Sequence, residues 1–262
     1  MTRALRLVLL QLRVNIARAA AYRADFIFNG VMTLVSMALA LLPLLILFDQ
    51  RTVVAGWDKP SALVVMSYFM AVEAILEGLI NPSLVDLVER IRTGAFDYVL
   101  LKPVDAQLMV STSRQEPWHV IDFAGALGLA IYAFWLRGEP PALVDVLLGT
   151  ALLVTGVAAM YAVFVACAAA SFWVVRLDNL VYLLGAVFDT ARWPVQVFRG
   201  VWRIVFTFVI PVAIMTTYPA MALLGRLDGR TALATVGGTA LLLGVARLIW
   251  RTAIRSYTSA SS

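Results

Sequence analysis

Hydrophobic positions along this chain gather into long runs, at 26–48, 61–80, 120–136, 144–175, 204–224 and 231–250, with shorter polar stretches between them. A helix needs roughly 20 apolar residues to cross a hydrocarbon layer about 30 Å thick, so the pattern predicts six transmembrane helices. The first run carries only Asn29, Thr33 and Ser36 as polar residues, and its Pro43 is tolerable in a membrane helix. The fourth is long enough to overshoot the layer and calls for tilt. It is rich in small residues, Gly149, Gly156, Ala158, Ala159, Ala166 and Ala168 to Ala170, which let helices approach closely where lipid supplies no hydrophobic drive. The fifth is broken by Pro211 and Pro219.

Two stretches follow a different rhythm. In residues 1–25, Leu5, Leu9, Leu12, Ile16 and Ala20 form one helical stripe with Arg3, Arg6 and Arg13 beside it, the signature of an amphipathic helix lying on a membrane surface. A secretory signal would need an unbroken apolar centre of roughly 7 to 15 residues; here Leu7–Leu10 runs straight into Gln11 and Arg13. The second stretch is the polar island from Asn81 to Leu108. Asn81 or Ser83 can cap a helix there, Pro82 suits its first turn, and Gly94 can end it in a left-handed conformation. Leu84, Leu87, Val88 and Ile91 share one face of this helix, while Asp86, Glu89, Arg90 and Arg92 lie around the other. Such a helix rests on an apolar surface and offers charge to a soluble partner.

Composition agrees with the runs: 62% of residues are hydrophobic, 14% are charged, and the mean hydropathy is +0.88. That is too little charge to cover a water-soluble globule of 262 residues, and an apolar soluble enzyme is excluded because its apolar runs would be of core-strand length. The single Cys167 lies in an apolar run, so neither a disulfide framework nor a thiol metal site is available. Lysine and arginine are unevenly placed. Sixteen of the 21 fall in 1–25, 81–117, 176–203 and 247–262, against five in 49–61, 137–143 and 225–230. The positive-inside bias then puts both termini and the island in the cytoplasm. The net charge of +5 is anchoring charge, and no nucleic-acid function is read from it.

Candidate chemistry is sparse. There is no phosphate-binding G-x-x-x-x-G-K-[ST] loop, no H-E-x-x-H, and a single histidine, His119. No catalytic or metal-ligating set emerges, although a carboxylate enzyme using Glu73, Glu77 or Asp122 stays open as a class. Glu73 and Glu77 lie one turn apart in the second run, where charge costs at least ~2.5 kcal/mol unless paired or wetted. They can line a translocation path, pair with Arg18 or Arg23, or reach toward the interface. Asp122 is read as capping or pairing at the membrane edge, with Trp118 and His119 as interface anchors. Residues 176–203 admit two topologies. In one, taken here on the arginine count, they form a cytoplasmic amphipathic segment ahead of a span over 204–224. In the other, the fifth span covers 177–190 and residues 198–224 dip back in from outside.

The run ERIRTGAFDYVLLKPVDAQL, followed by FWVVRLDNL, ARWPVQVFRGVWRIVFTFVIPVAIMTTYPAMALL and the terminal YTSAS, resembles the membrane permeases of the type-2 ABC export family, in the group with six spans. The resemblance covers most of the chain. It implies one transmembrane permease domain over 1–262: an all-α polytopic membrane protein of six transmembrane helices, an N-terminal amphipathic interfacial helix and a cytoplasmic coupling helix at 83–92. It further implies a subunit of an ATP-driven exporter in the cytoplasmic (inner) membrane, paired with a second permease subunit, identical or related, and with cytosolic ABC ATPase subunits that bind the ATP and magnesium. This chain itself would hold no cofactor. On that reading Leu84, Asp86, Leu87, Glu89, Arg90, Arg92, Gly94, Asp97 and Lys102 form the ATPase-coupling element, with Lys102-Pro103 serving equally as an anchor leading the chain back to the membrane. Glu73, Glu77 and Asp122 are pathway candidates, and aromatic and aliphatic walls favour an amphipathic or hydrophobic substrate. The other classes to weigh are a secondary transporter coupled to protons through Glu73 and Glu77, and a membrane scaffold.

Overall fold

A computed structural model describes residues 3–21, 23–173, 188–204 and 211–257. The chain is all-α and polytopic. Helix α1 (Arg3–Ala21) leads into α2 (Arg23–Gln50), and a two-residue hairpin pairs Val53–Val54 with Trp57–Asp58. Ala55 and Gly56 both take positive φ, 50° and 84°, which suits a tight two-residue turn. Next come α3 (Lys59–Ile75), a π-helical segment at Leu76–Ile80, α4 (Asn81–Thr93), the short α5 (Asp97–Leu100) and α6 (Ala106–Ser111). Helices α7 (Val120–Arg137) and α8 (Leu143–Ala170) follow, and the C-terminal helix is Gly229–Arg255. Among the described residues, five helices, Ile27–Gln50, Lys59–Thr93, Pro117–Arg137, Leu143–Ala170 and Gly229–Arg255, are long and apolar enough to cross a membrane.

The central helix is α3. Residues 61–72 are buried without interruption, as expected of a helix apolar on all sides and surrounded by others. Helix α2 leans on α7 through glycines: a Cβ on Gly30 would lie 2.8 Å from Ile121, and Gly125 receives the Met37 side chain. The small residues of α8 work in the same way. A Cβ on Gly156 would sit 2.8 Å from the Met215 Cα, and one on Gly149 would collide with the Tyr68 hydroxyl. These close approaches supply the dispersion contacts that hold helices together in lipid.

Residues 213–223 depart from the expected full span. They form a π-helical segment, Ala213–Thr217, and a short helix, Tyr218–Leu223. Met215 lies at Gly156, midway along α8, and Gly225 reaches Asp145 at the start of that helix, so the described part traverses only half of the bundle. Residues 189–197 do not lie free on a surface either: Ala191, Pro194 and Val195 are buried. The Thr216 hydroxyl donates to the Ala191 carbonyl at 3.1 Å, and the Val195 amide donates to the Thr217 hydroxyl at 3.1 Å. Irregular backbone at membrane depth needs such partners inside the protein. Residues 177–187 and 205–210, on which the two topologies also turn, lie outside the described residues.

Candidate functional site

The island begins differently from the sequence reading. No cap separates the second span from α4: Lys59–Thr93 is one rod of 35 residues, about 50 Å long, which far exceeds the membrane thickness. Instead of capping, the Asn81 side-chain amide donates to both oxygens of Glu77 at 3.0 Å. Pro82 has no N–H to offer the Gly78 carbonyl four residues back, and that carbonyl accepts instead from the Glu116 amide at 2.8 Å. The Ser83 hydroxyl donates to the Arg114 carbonyl at 2.5 Å and accepts from the Arg114 amide at 3.0 Å. A proline just after a π-helical stretch thus ties the rod to the segment that returns from the island.

Beyond that point α4 shows two faces. Leu84 and Leu87 are buried, Leu87 with 0% exposure, so they anchor the helix and are not surfaces a partner could touch. On the other face Arg90 Nε pairs with Asp86 at 2.6 Å, and Ser113 donates to the same carboxylate at 3.3 Å. Glu89 and Arg92 pair at 2.8 Å and are both exposed. Gly94 ends the helix with φ 75°, its amide donating to the Ile91 carbonyl, a left-handed C-cap that costs a glycine nothing. The chain turns there, and Phe96, at 0% exposure, enters a cluster of T-shaped aromatic contacts with Phe172, Trp250 and Tyr257 at centroid distances of 5.1 to 6.3 Å. Asp97 acts on Tyr257: burial first, then this carboxylate, hold the Tyr257 hydroxyl above its ordinary 10.0. Lys102 is exposed, and so are residues the sequence reading did not single out, Val85, Tyr98, Leu100 and Leu101, the last at 80%. Their signal was available: apolar side chains crowded into a polar island that already lies beyond the spans.

The return leg is tied down by polar contacts from distant parts of the chain. Arg247 of the C-terminal helix grips Asp105 through both nitrogens of its fork and donates to Gln107 at 2.5 Å. Gln107 and Ser111 both meet the Tyr161 hydroxyl of α8, at 3.0 and 2.9 Å. The Arg247 hydrogen bonds hold the Asp105 carboxyl below its ordinary 3.8. Helix α1 joins here through Gln11, which donates to the Met109 carbonyl at 3.2 Å and accepts from Thr112 at 2.5 Å. Leu9 and Ile16 of the expected apolar stripe are exposed, whereas Asn15 is buried; the side chains of Leu5 and Ala20 lie outside the described residues.

The carboxylates of the second span face a separate cavity of about 310 Å³ between α2, α3, α7 and residues 189–192. Asn29, Thr33 and Ser36 line it from α2, Glu73 and Glu77 from the rod, and Trp118, His119, Asp122 and Arg192 from the other sides. Trp118 and His119, read from the sequence as interface anchors, thus line this cavity. His119 Nδ1 meets Asp122 at 2.5 Å, and Arg192 pairs with Asp189 at 2.9 Å while lying 5.1 Å from the centre of the Phe69 ring. Glu77 is held by Asn81. Glu73 has no hydrogen bond or ion pair among the described residues. Arg18 is exposed and outside these pairs, and the side chain of Arg23 lies outside the described residues. No group of three or more metal-ligating side chains occurs among the described residues.

A family model described as ABC-2 family transporter protein matches residues 34–261, which takes in the corner at Gly94 and this cavity apart from Asn29, Met32 and Thr33 of α2. The chain belongs to that family. It is a permease, the membrane component of an ABC transporter, and permeases of this family work with ABC ATPase subunits. No curated protein and no solved structure matches it.

Proposed function

We propose that this permease is one transmembrane half of an ATP-driven exporter, coupled to separate cytosolic ATPase subunits through the corner around Gly94. The observation that carries the reading is the exposed ridge of Glu89, Arg92, Tyr98, Leu101 and Lys102 on a corner fixed from below by Leu87 and Phe96. A push on such a ridge passes into a continuous rod that runs through the middle of the bundle, the kind of rigid element that carries coupling between distant sites. Of the 21 basic residues, 12 lie in 1–25, 81–117 and 247–262, the segments that meet at this corner, against five in the turns at the opposite end. That bias supports a cytoplasmic corner and cytoplasmic termini in the cytoplasmic (inner) membrane. A second permease subunit, a copy or a related chain, completes the pathway. Glu73, open to the cavity, is the pathway residue on this reading, while Glu77 and Asp122 are held in structural pairs. The cavity combines carboxylate, hydroxyl, amide and thioether groups, which suits an amphipathic substrate.

The test is co-purification of the tagged permease with the ATPase subunits encoded nearest its gene, comparing wild type with Arg92→Glu combined with Leu101→Asp. Both sites are exposed, so the variant folds and inserts. Loss of the ATPase from the variant, at unchanged permease yield, supports the corner as the coupling element. An ATPase retained equally by the variant overturns that assignment.

A further inference from the structure

One face of the C-terminal helix changes character along its length. Leu241, Val245 and Leu248 stand outward, and at 3.6 residues per turn Arg251 and Arg255 continue their stripe. Beside these arginines opens a hollow of about 320 Å³, walled by Arg247, Trp250, Arg251 and Arg255 and, opposite them, by Asp105 and Ala106. The one carboxylate in that wall is already gripped by Arg247. Arg251 and Arg255 are exposed and have no ion pair among the described residues. Complementing the helix dipole and reaching toward the interface explain arginines at a helix end. Neither explains why two of them open onto a hollow whose acid is engaged elsewhere, directly below an outward ridge of leucine and valine.

We propose that this hollow binds the headgroup phosphate of an anionic phospholipid, whose acyl chains lie along Leu241, Val245 and Leu248. Guanidinium forks match phosphate oxygens in pairs, and the charge left over in the hollow is positive. The bound lipid would rest against Asp105 and Ala106 and so brace the C-terminal helix against the segment that returns from the Gly94 corner. This inference stands independently of the exporter reading, since it concerns only the membrane around the permease.

The full-length permease, purified in mild detergent and stripped of lipid, is given phosphatidylglycerol, phosphatidylcholine or inorganic phosphate. Retained lipid is read by native mass spectrometry, and stabilisation is read as a shift in Tm. Phosphatidylglycerol is expected to be retained and to raise Tm, and phosphatidylcholine to do neither. Arg251→Gln with Arg255→Gln weakens retention by about fivefold per arginine, while Arg226→Gln with Arg230→Gln, at the opposite end, leaves it unchanged. Ala106→Leu fills the hollow without altering charge and weakens retention too, which separates a shaped site from a general attraction to basic surface. Should the double glutamine variant fold poorly, Arg251→Lys with Arg255→Lys keeps the charge, loses the fork and is expected to bind more weakly than wild type. Equal retention of phosphatidylcholine, or undiminished phosphatidylglycerol in the arginine and Ala106 variants, overturns the proposal. The same stabilisation by phosphate alone overturns it in favour of a free-anion site.

Discussion

At the Gly94 corner the two acid–base pairs on α4, Asp86 with Arg90 and Glu89 with Arg92, close within one helical turn. In the cavity beside Glu73, the polar groups arrive from α2, the rod, the start of α7 and residues 189–192. The corner shows charge to water and hides its anchors, Leu84, Leu87 and Phe96. The cavity hides its charge among membrane helices and leaves Glu73 without a direct partner. The contrast separates two uses of polarity in one protein. Exposed i, i+3 and i, i+4 pairs are worth only a few tenths of a kcal/mol each, so at the corner charge shapes a surface while apolar burial holds it. Inside the bundle a charge is expensive unless paired, so a carboxylate without a direct partner marks a place where the membrane protein bears a cost for something other than stability.

The sharpest way to break this comparison is at Phe96. Phe96→Ala removes the centre of the aromatic cluster and is expected to cost ~3–5 kcal/mol, measured as thermal unfolding in detergent, with the corner freed from α8 and the C-terminal helix. A cost under about 1 kcal/mol would mean that burial is not what fixes the corner. A smaller effect sets the cavity's paired and unpaired carboxylates against each other. Asp122→Ala removes the partner of His119 Nδ1, leaving Glu116 at 3.8 Å from Nε2, and is expected to cost about 1–3 kcal/mol. Glu73→Gln, which breaks no contact, is expected to leave stability unchanged and yet to lower transport in membrane vesicles about tenfold or more, roughly the size of one lost charge interaction in a pathway. Equal stability losses at the two sites would show Glu73 to be structural. The smallest effect is a pH slope at the corner. The folded-state value of Asp105 is depressed by Arg247, so its contribution is present above the ordinary 3.8 and is lost as pH falls through the lower folded value. Both partners are more than a third exposed, and the contribution is about 1 kcal/mol or less. Asp105→Asn should abolish that slope below about pH 5, and a slope that survives in the variant would assign it to another group.

The residues show why some of this was legible in the chain. Gly94 as a helix stop, the apolar face of Leu84 and Leu87, and the charged face opposite are local features. Each depends on neighbours within a few positions, and helical spacing is enough to find them. The N-cap assigned to Asn81 or Ser83 failed for a reason the sequence does not display: a π-helical stretch lets the span run on through Pro82, because Glu116, from beyond the island, satisfies the Gly78 carbonyl. The burial of Ala191, Pro194 and Val195 within a stretch read as amphipathic surface escaped the sequence in the same way. An arginine count along the chain treats every basic residue as facing water, yet Arg192 pairs with Asp189 and lies over the Phe69 ring, while the Thr216 and Thr217 hydroxyls hold the backbone beside it at Ala191 and Val195.

The sequence by itself determined that this protein lives in a membrane, that its long helices cross it, and that a polar corner projects beyond one of them. Those properties follow from run length, periodicity and charge, which the solvent reads residue by residue. Which buried carboxylate would keep a partner, which apolar side chains of the island would stay outside, and which arginines would meet around Asp105 were decided only when helices far apart in the chain packed together. Pairing energy in a membrane depends on distance and on the exclusion of water, and neither exists until the tertiary structure brings the groups within reach.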